Sequence, residues 1–327
     1  MDILYQFNEK YAPYASVSII SLFINNKNRK ITVHILGENL SESSMKKYKD
    51  IADEYNQNIV IYETEGVIQK LKEMGVPSYR GSYSANLRMM PTSFVGDNID
   101  RLLYLDADTI VNGDIYDLFS MKLENNVVAM VIDSLGNCNY KQKLGFSDKE
   151  SYYNSGVILY DMVKWKELQI SQQILDYISQ NDVKFASPDQ DLINIVLKGK
   201  IRKISPKYNF QPIHKEYTYI QYMKCFGTGD YYTEEEIKDA MEDTRIYHSF
   251  RYVGEFPWDR NTIHPYKEMF YEYISNGPWF DYVPKQSEAT WIMKAEKILY
   301  LILPKSIFLK LFALAHKKYV SRKSEVA

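Results

Sequence analysis

The run Arg101-Leu102-Leu103-Tyr104-Leu105-Asp106-Ala107-Asp108 decides the reading of this chain. A strand-length apolar segment delivers two carboxylates at its end. With the two-residue period of extended backbone, Asp106 and Asp108 project to one side while the small Ala107 turns away. Two carboxylates so placed suit a hard divalent cation, Mg²⁺ or Mn²⁺. An Asp-x-Asp pair alone is commonplace in solvated turns. Its weight here comes from its place at the end of an apolar strand within an α/β pattern. An EF-hand is excluded, because Ile110 occupies the third ligand position and no loop-closing glutamate follows.

Upstream, residues 3–7 read as a buried strand, 13–23 as a helix and 31–36 as a second strand. Residues 41–55 read as a helix with Ser41 as N-cap, and 59–62 as a third strand. This βαβαβ alternation predicts a parallel, Rossmann-like sheet with helices on both faces and a ligand beyond the carboxyl ends of its strands. A helix over 84–94 leads into the acidic strand. Downstream, strands are expected at 127–132, 157–160 and 246–247. Helices are expected at 189–197, behind Pro188, and at 233–241. After Trp258 the sequence turns to aromatic-rich helices and a basic tail. The chain therefore divides into an α/β catalytic domain over 1–262 and a helical region over 263–327.

The chain has 327 residues, 45% of them hydrophobic, enough for a sizeable core. A net charge of −2 leaves no basic footprint for nucleic acid. The charge is uneven, however: from Lys294 onward eight Lys and Arg face two Glu, so the remainder is acidic. The two cysteines, Cys138 and Cys225, form neither a disulfide framework nor a zinc spacing, which fits a reducing compartment. The opening Asp2-Ile3-Leu4-Tyr5 lacks the basic and long apolar runs of a signal peptide, so a cytoplasmic location is expected. The 29 tyrosines fit a Tyr-, Lys-, Asn- and Ile-rich composition as well as they fit a carbohydrate site.

Further motifs join the acidic pair. Tyr153-Asn154-Ser155-Gly156-Val157 is followed by Lys164-Trp165. Asp189-Gln190-Asp191 comes next, then His248 with Gly254 and Pro257-Trp258. In this order and spacing, over roughly residues 1–260, the sequence resembles glycosyltransferase family 8. That group contains glycogenin and the bacterial lipopolysaccharide galactosyl- and glucosyltransferases. The resemblance implies a GT-A fold, that is, a Rossmann-like mixed sheet flanked by helices, and transfer of a hexose from a UDP-sugar with retention of configuration. By it, Asp106, Asp108 and His248 ligate Mn²⁺ (Mg²⁺ as the alternative), and a neutral imidazole beside two carboxylates suits that ion. Asp189 accepts hydrogen bonds from donor hydroxyls, and the Gln190 amide oxygen faces the anomeric carbon, where positive charge develops. Asn154 and Ser155, Asp133 and Arg88 contact the donor sugar. Tyr11 packs on uracil and Asn8 binds its edge. Ala107 and Gly254 complete the donor-binding set.

The sequence departs from the family at two places. Position 8 carries Asn where an aspartate is usual. The stretch Gly254-Glu255-Phe256-Pro257-Trp258 lacks the customary diphosphate-binding lysine, for which Arg251 or Arg260 is expected to substitute. Two other readings compete. Asp106-Ala107-Asp108-Thr109 also resembles the nucleophile motif of haloacid-dehalogenase-type phosphatases, in which the first aspartate is phosphorylated. That motif normally lies on the first strand of its domain, whereas three strand-helix units precede it here. The third reading is a glycan-binding relative without chemistry. Finally, lysines interleaved with Phe308, Leu311, Phe312 and Leu314 predict an amphipathic helix. It either lies on an anionic membrane surface at the inner face of the cell membrane or packs on its own domain or on a second subunit. The apolar runs around it are too short to span a bilayer. The acceptor, whether glycan, glycolipid or glycoprotein, is not legible.

Overall fold

The computed structural model describes residues 1–79, 81–137, 139–181 and 185–325; Cys138, noted above, lies outside them. Among the described residues nine strands occur in this order: β1 Asp2–Asn8, β2 Thr32–Glu38, β3 Asn58–Glu63, β4 Arg101–Leu105, β5 Thr109–Val111, β6 Val128–Ile132, β7 Tyr153–Asp161, β8 Ile201–Lys203 and β9 Ile246–His248. Seven form one mixed sheet in the order β3-β2-β1-β4-β7-β6-β8, while β5 and β9 pair separately. The first three strands and β4 run parallel, as the βαβαβ pattern predicts. β7 is antiparallel to both of its neighbours.

Alternation along the strands builds two cores, one on each face of the sheet. Ile3, Tyr5, Val33, Leu103 and Leu105 face one. Leu4, Leu36, Leu102 and Tyr104 face the other. Helix Ala12–Asn25 carries Pro13 in its first turn and covers the first face with Ala15, Ile19 and Leu22. Helix Glu42–Glu54 is capped as expected, the Ser41 side chain accepting a hydrogen bond from the Ser44 amide.

Two local expectations are corrected. Residues 84–94 are not one α-helix but two short 3₁₀ segments, Ser84–Met89 and Pro91–Ser93. Pro91 has no amide hydrogen and disfavours helical geometry at Met90, which breaks the run. β7 starts at Tyr153, earlier than expected, because Asn154, Ser155 and Gly156 are themselves part of the strand.

The antiparallel β7 matters for function. Its beginning lies at the same sheet edge as the ends of β1, β4 and β6. That edge gathers Asn8, Asp106, Asp133 and Asn154 from four strands.

The C-terminal region is built onto the domain. Lys297, on helix Trp291–Ile302, pairs with Glu255 at 2.8 Å. Phe308, Leu309 and Ala313, on helix Lys305–Glu325, join the first core. Trp291, Ile298, Leu301, Ile302, Ile307 and Leu314 are exposed. No helix among the described residues is long and apolar enough to cross a membrane.

Candidate active site

The chain leaves β4 after Leu105, and Asp106 caps the exit by donating its amide to the Gly156 carbonyl at 2.8 Å. Asp106 to Asp108 then form a turn rather than extended strand, closed by the Thr109 amide on the Asp106 carbonyl at 3.1 Å. The two carboxylates therefore converge through the turn, not through strand periodicity. β5 follows directly and pairs with β9, Thr109 opposite His248, which carries the imidazole to the acidic pair. Ligand atoms of Asp106, Asp108 and His248 lie within 4.8 Å of one another. A side chain at position 156 would collide with them: a Cβ there would come within 2.2 Å of the His248 ring and 2.9 Å of Asp106 Oδ2. Only glycine allows this closure.

A hydrogen-bond chain fixes the imidazole. The Gly156 amide can only donate, and it donates to Asn154 Oδ1 at 2.9 Å. Asn209 must therefore present its NH₂ to that oxygen, at 2.8 Å, and its own Oδ1 to His248 Nδ1, at 2.9 Å. The hydrogen sits on Nδ1, and Nε2 faces the carboxylates, 3.3 Å from Asp108 and 3.5 Å from Asp106. There Nε2 either carries a proton in an ion pair or ligates a cation. Burial opposes charge on His248, but Asp108 and Asp106 outweigh it and raise its pKa. Burial likewise opposes charge on Asp108, and His248 reverses the direction and lowers it.

Arg88 is buried beneath this cluster, not exposed on a helix surface. Its guanidinium donates to the Ser155 carbonyl at 2.7 Å and to Asp106 Oδ1 at 2.8 Å, and its Nε lies 3.2 Å from Asp189 Oδ2. It also stacks on the Tyr104 ring at 4.4 Å. Burial works against its charge, but Asp106, Tyr104 and Asp189 hold it protonated more firmly than usual. Asp189 is pushed the other way: burial raises its pKa against the pull of Arg88. The first turn of helix Pro188–Val196 presents Asp189 and Gln190 to the cavity. Gln190 accepts the Ser155 amide at 3.0 Å and donates to the Tyr152 hydroxyl at 3.0 Å. Tyr152 in turn donates to buried Asp191, whose pKa burial raises to about 6. Asp133 accepts from Asn154 at 2.8 Å.

These groups line a cavity of about 400 Å³. It opens, past Arg88, Asp106 and Asp108, into a cleft of about 600 Å³ that includes Asn8, Tyr11, Ala107 and Trp258. The structure thus brings together every expected site residue but one. Gly254 does not line either space: with φ near +79° it forms a turn against Met293. Arg251 lines both spaces, whereas Arg260 is exposed and lines neither. Lys285, on the cleft, was not anticipated, nor were Asn209 and Tyr152. Only their spatial neighbours mark them, so no local signal in the sequence could have found them.

An aspartyl-phosphate role for Asp106 finds no support, since Arg88 and Tyr104 already donate to its Oδ1. The stretch that departs from the family pattern has a structural use: Gly254 abuts Met293, and Glu255 anchors Lys297.

Comparison with known proteins agrees with this geometry. The family model described as glycosyl transferase family 8 matches residues 2–262. A lipopolysaccharide 1,2-glucosyltransferase of Escherichia coli strain K12 is 26% identical, covering 88% of this chain and 82% of its own. A lipopolysaccharide 1,3-galactosyltransferase of Salmonella typhimurium is 25% identical, covering 85% and 79%. The crystal structure of the galactosyltransferase LgtC with donor and acceptor sugar analogues superposes with a TM-score of 0.71. At 24% identity it covers 87% of this chain and 98% of that one, and it shares the fold. With the motif residues gathered at one sheet edge and the family model spanning the whole α/β domain, the chain belongs to glycosyl transferase family 8.

Proposed function

We propose that this protein is a retaining hexosyltransferase. It moves glucose or galactose from the UDP-sugar to a hydroxyl of a bacterial surface glycan or glycoconjugate, in a reaction that requires Mn²⁺. The observation that carries the reading is the Asp106, Asp108 and His248 cluster on the wall of a cavity that also holds Arg88, Asp189 and Gln190. Two carboxylates and an imidazole nitrogen form a donor set suited to Mn²⁺, with Mg²⁺ the weaker fit because of the imidazole. Bound there, the ion supplies charge neutralisation for the departing diphosphate. The names of the similar lipopolysaccharide enzymes include both a glucosyl- and a galactosyltransferase, which supports a hexose and an envelope glycan.

The protein's own groups divide the remaining work. Asn8, Tyr11 and Trp258 hold the uridine end of the cleft, and Arg251 and Lys285 bring positive charge toward the diphosphate. Asp189 accepts hydrogen bonds from the sugar hydroxyls, and Asp133 with Asn154 holds the opposite side. Gln190 is a poor nucleophile, and its amide is clamped by Ser155 and Tyr152. Front-side substitution is therefore favoured over a covalent intermediate, with the amide oxygen easing charge at the anomeric carbon. A hydrolysis screen across UDP-sugars with and without Mn²⁺ tests the reading. Release of UDP from UDP-glucose or UDP-galactose only with the metal is expected, and phosphate release from simple monoesters instead would contradict it.

We place the protein at the cytoplasmic face of the membrane, held by its C-terminal helices. Exposed Ile302, Ile307 and Leu314 accompany exposed Lys294, Lys310 and Lys318, a pairing that suits an anionic lipid surface. Because the same helices anchor the core, the test is substitution, not deletion. A Lys310→Glu, Leu314→Ser, Lys318→Glu variant should leave anionic vesicles while still hydrolysing donor. Unchanged vesicle binding would remove the membrane role.

A further inference from the structure

Helix Lys305–Glu325 reaches the active-site cavity through His316, a residue outside every motif described above. Leu309, Ala313 and His316 recur at i, i+4 and i+7 and so share one helix face. Leu309 and Ala313 are buried, whereas Ile307, Leu311 and Leu314 on the other side are exposed. The helix packs on Tyr219–Phe226 and Asn139–Lys143. The His316 ring lies against Phe312 with centroids 6.0 Å apart and edge-on to Phe226 at 6.1 Å. Packing therefore fixes where the imidazole points.

His316 Nε2 is buried and has no hydrogen-bond partner. The ring's hydrogen bond to the Leu135 backbone favours its protonated form, so the ring donates there, and the donor is Nδ1. Burial outweighs that bond and the nearby Asp133, lowering the pKa and keeping the ring neutral. Nε2 is then an acceptor with an open lone pair, a costly thing to bury unless something donates to it. Its position says which ligand that is. His316 lines the cavity shared with Asp133, Leu135 and Gln190, but not the cleft that holds Asn8 and Trp258. It sits on the side away from the nucleotide, on the helix whose outer face is apolar and lysine-bearing.

We propose that His316 is an acceptor-binding residue, its Nε2 taking a hydrogen bond from a hydroxyl of the incoming glycan. The assignment rests on the reading of the protein as a UDP-sugar transferase. It makes the C-terminal helix part of the acceptor site as well as of the outer surface, so one element both meets the surface and receives the glycan carried there.

The test uses the full chain with Mn²⁺ and UDP-glucose or UDP-galactose. Free glucose, galactose and lactose serve as acceptor probes that compete with water for the transferred sugar. In His316→Ala the ratio of transfer to hydrolysis should fall about tenfold. The UDP-sugar Kd, read by calorimetry, should stay within about twofold, because no donor contact is lost. His316→Gln, which can offer an amide oxygen near the place of Nε2, should recover most of the ratio. An unchanged ratio in His316→Ala overturns the proposal. So does a loss of donor affinity matching the loss of transfer, which would make His316 a donor-side residue. Hydrolysis by the parent protein without capture by any probe overturns it as well. If the parent protein hydrolyses no UDP-sugar, the transferase reading itself fails, a result distinct from all of these.

Discussion

The two ends of the active-site cleft are built on opposite principles. At the sugar end, Arg88, Asn154, Asn209 and His248 are tied into one network of buried polar groups. At the nucleotide end, Gln6 Oε1, Asn8 Oδ1 and Arg251 Nε are buried with no hydrogen-bond partner. Buried polar atoms are normally paired, so the network around Arg88 and His248 is finished by folding, whereas the nucleotide end, like His316 on the acceptor side, is completed by what binds there. The geometry that must be held against developing charge is rigid, and the part that only grips is open.

If that contrast is right, damage at the sugar end should register in stability and damage at the nucleotide end in binding. The largest effect is expected from Arg88→Ala, which leaves the buried Asp189 and the half-buried Asp106 without their cation. A loss of about 3–5 kcal/mol in denaturant unfolding is predicted, and a variant as stable as the parent would break the contrast. Asn209→Ala acts one step from the metal ligands. It frees the His248 ring to rotate or change tautomer, so Mn²⁺ affinity should fall about 10–100-fold when titrated by electron paramagnetic resonance. Equal affinity would show that the hydrogen-bond chain does not orient the ligand. The smallest effect belongs to the open end. Arg251→Ala should raise the donor KM about tenfold while changing stability by less than about 1 kcal/mol. Arg260→Ala, outside the cleft, should leave KM alone.

The same division explains what the sequence discloses. β1 to β4 and the two cores follow from alternation and apolar runs, because each strand is specified by its own residues. Asp106 and Asp108 were legible for the same reason, since a local apolar run places them at the end of a strand, whereas the Asn154 to Gly156 run, which lies within β7, was legible only through its resemblance to a family motif. His248 was legible only through its resemblance to a family motif, and its approach to Asp108 depends on β5 pairing with β9 across more than a hundred residues. Asn209, Tyr152 and Lys285 carry no local signal, since what they do is defined by a partner distant in the chain. The expected helix at 84–94 failed at Pro91, where a backbone constraint overrode a favourable composition. Gly254 was drawn in by its motif, yet here it turns the chain against Met293.

Calorimetric titration of UDP-glucose and UDP-galactose, with and without Mn²⁺, probes the heart of the account. One of the two should bind at least about tenfold more tightly with the metal present, and Asp108→Asn should abolish the difference. Equal affinity in the two conditions would mean that the cluster of Asp106, Asp108 and His248 holds no ion that meets the diphosphate, and the proposed chemistry would be wrong.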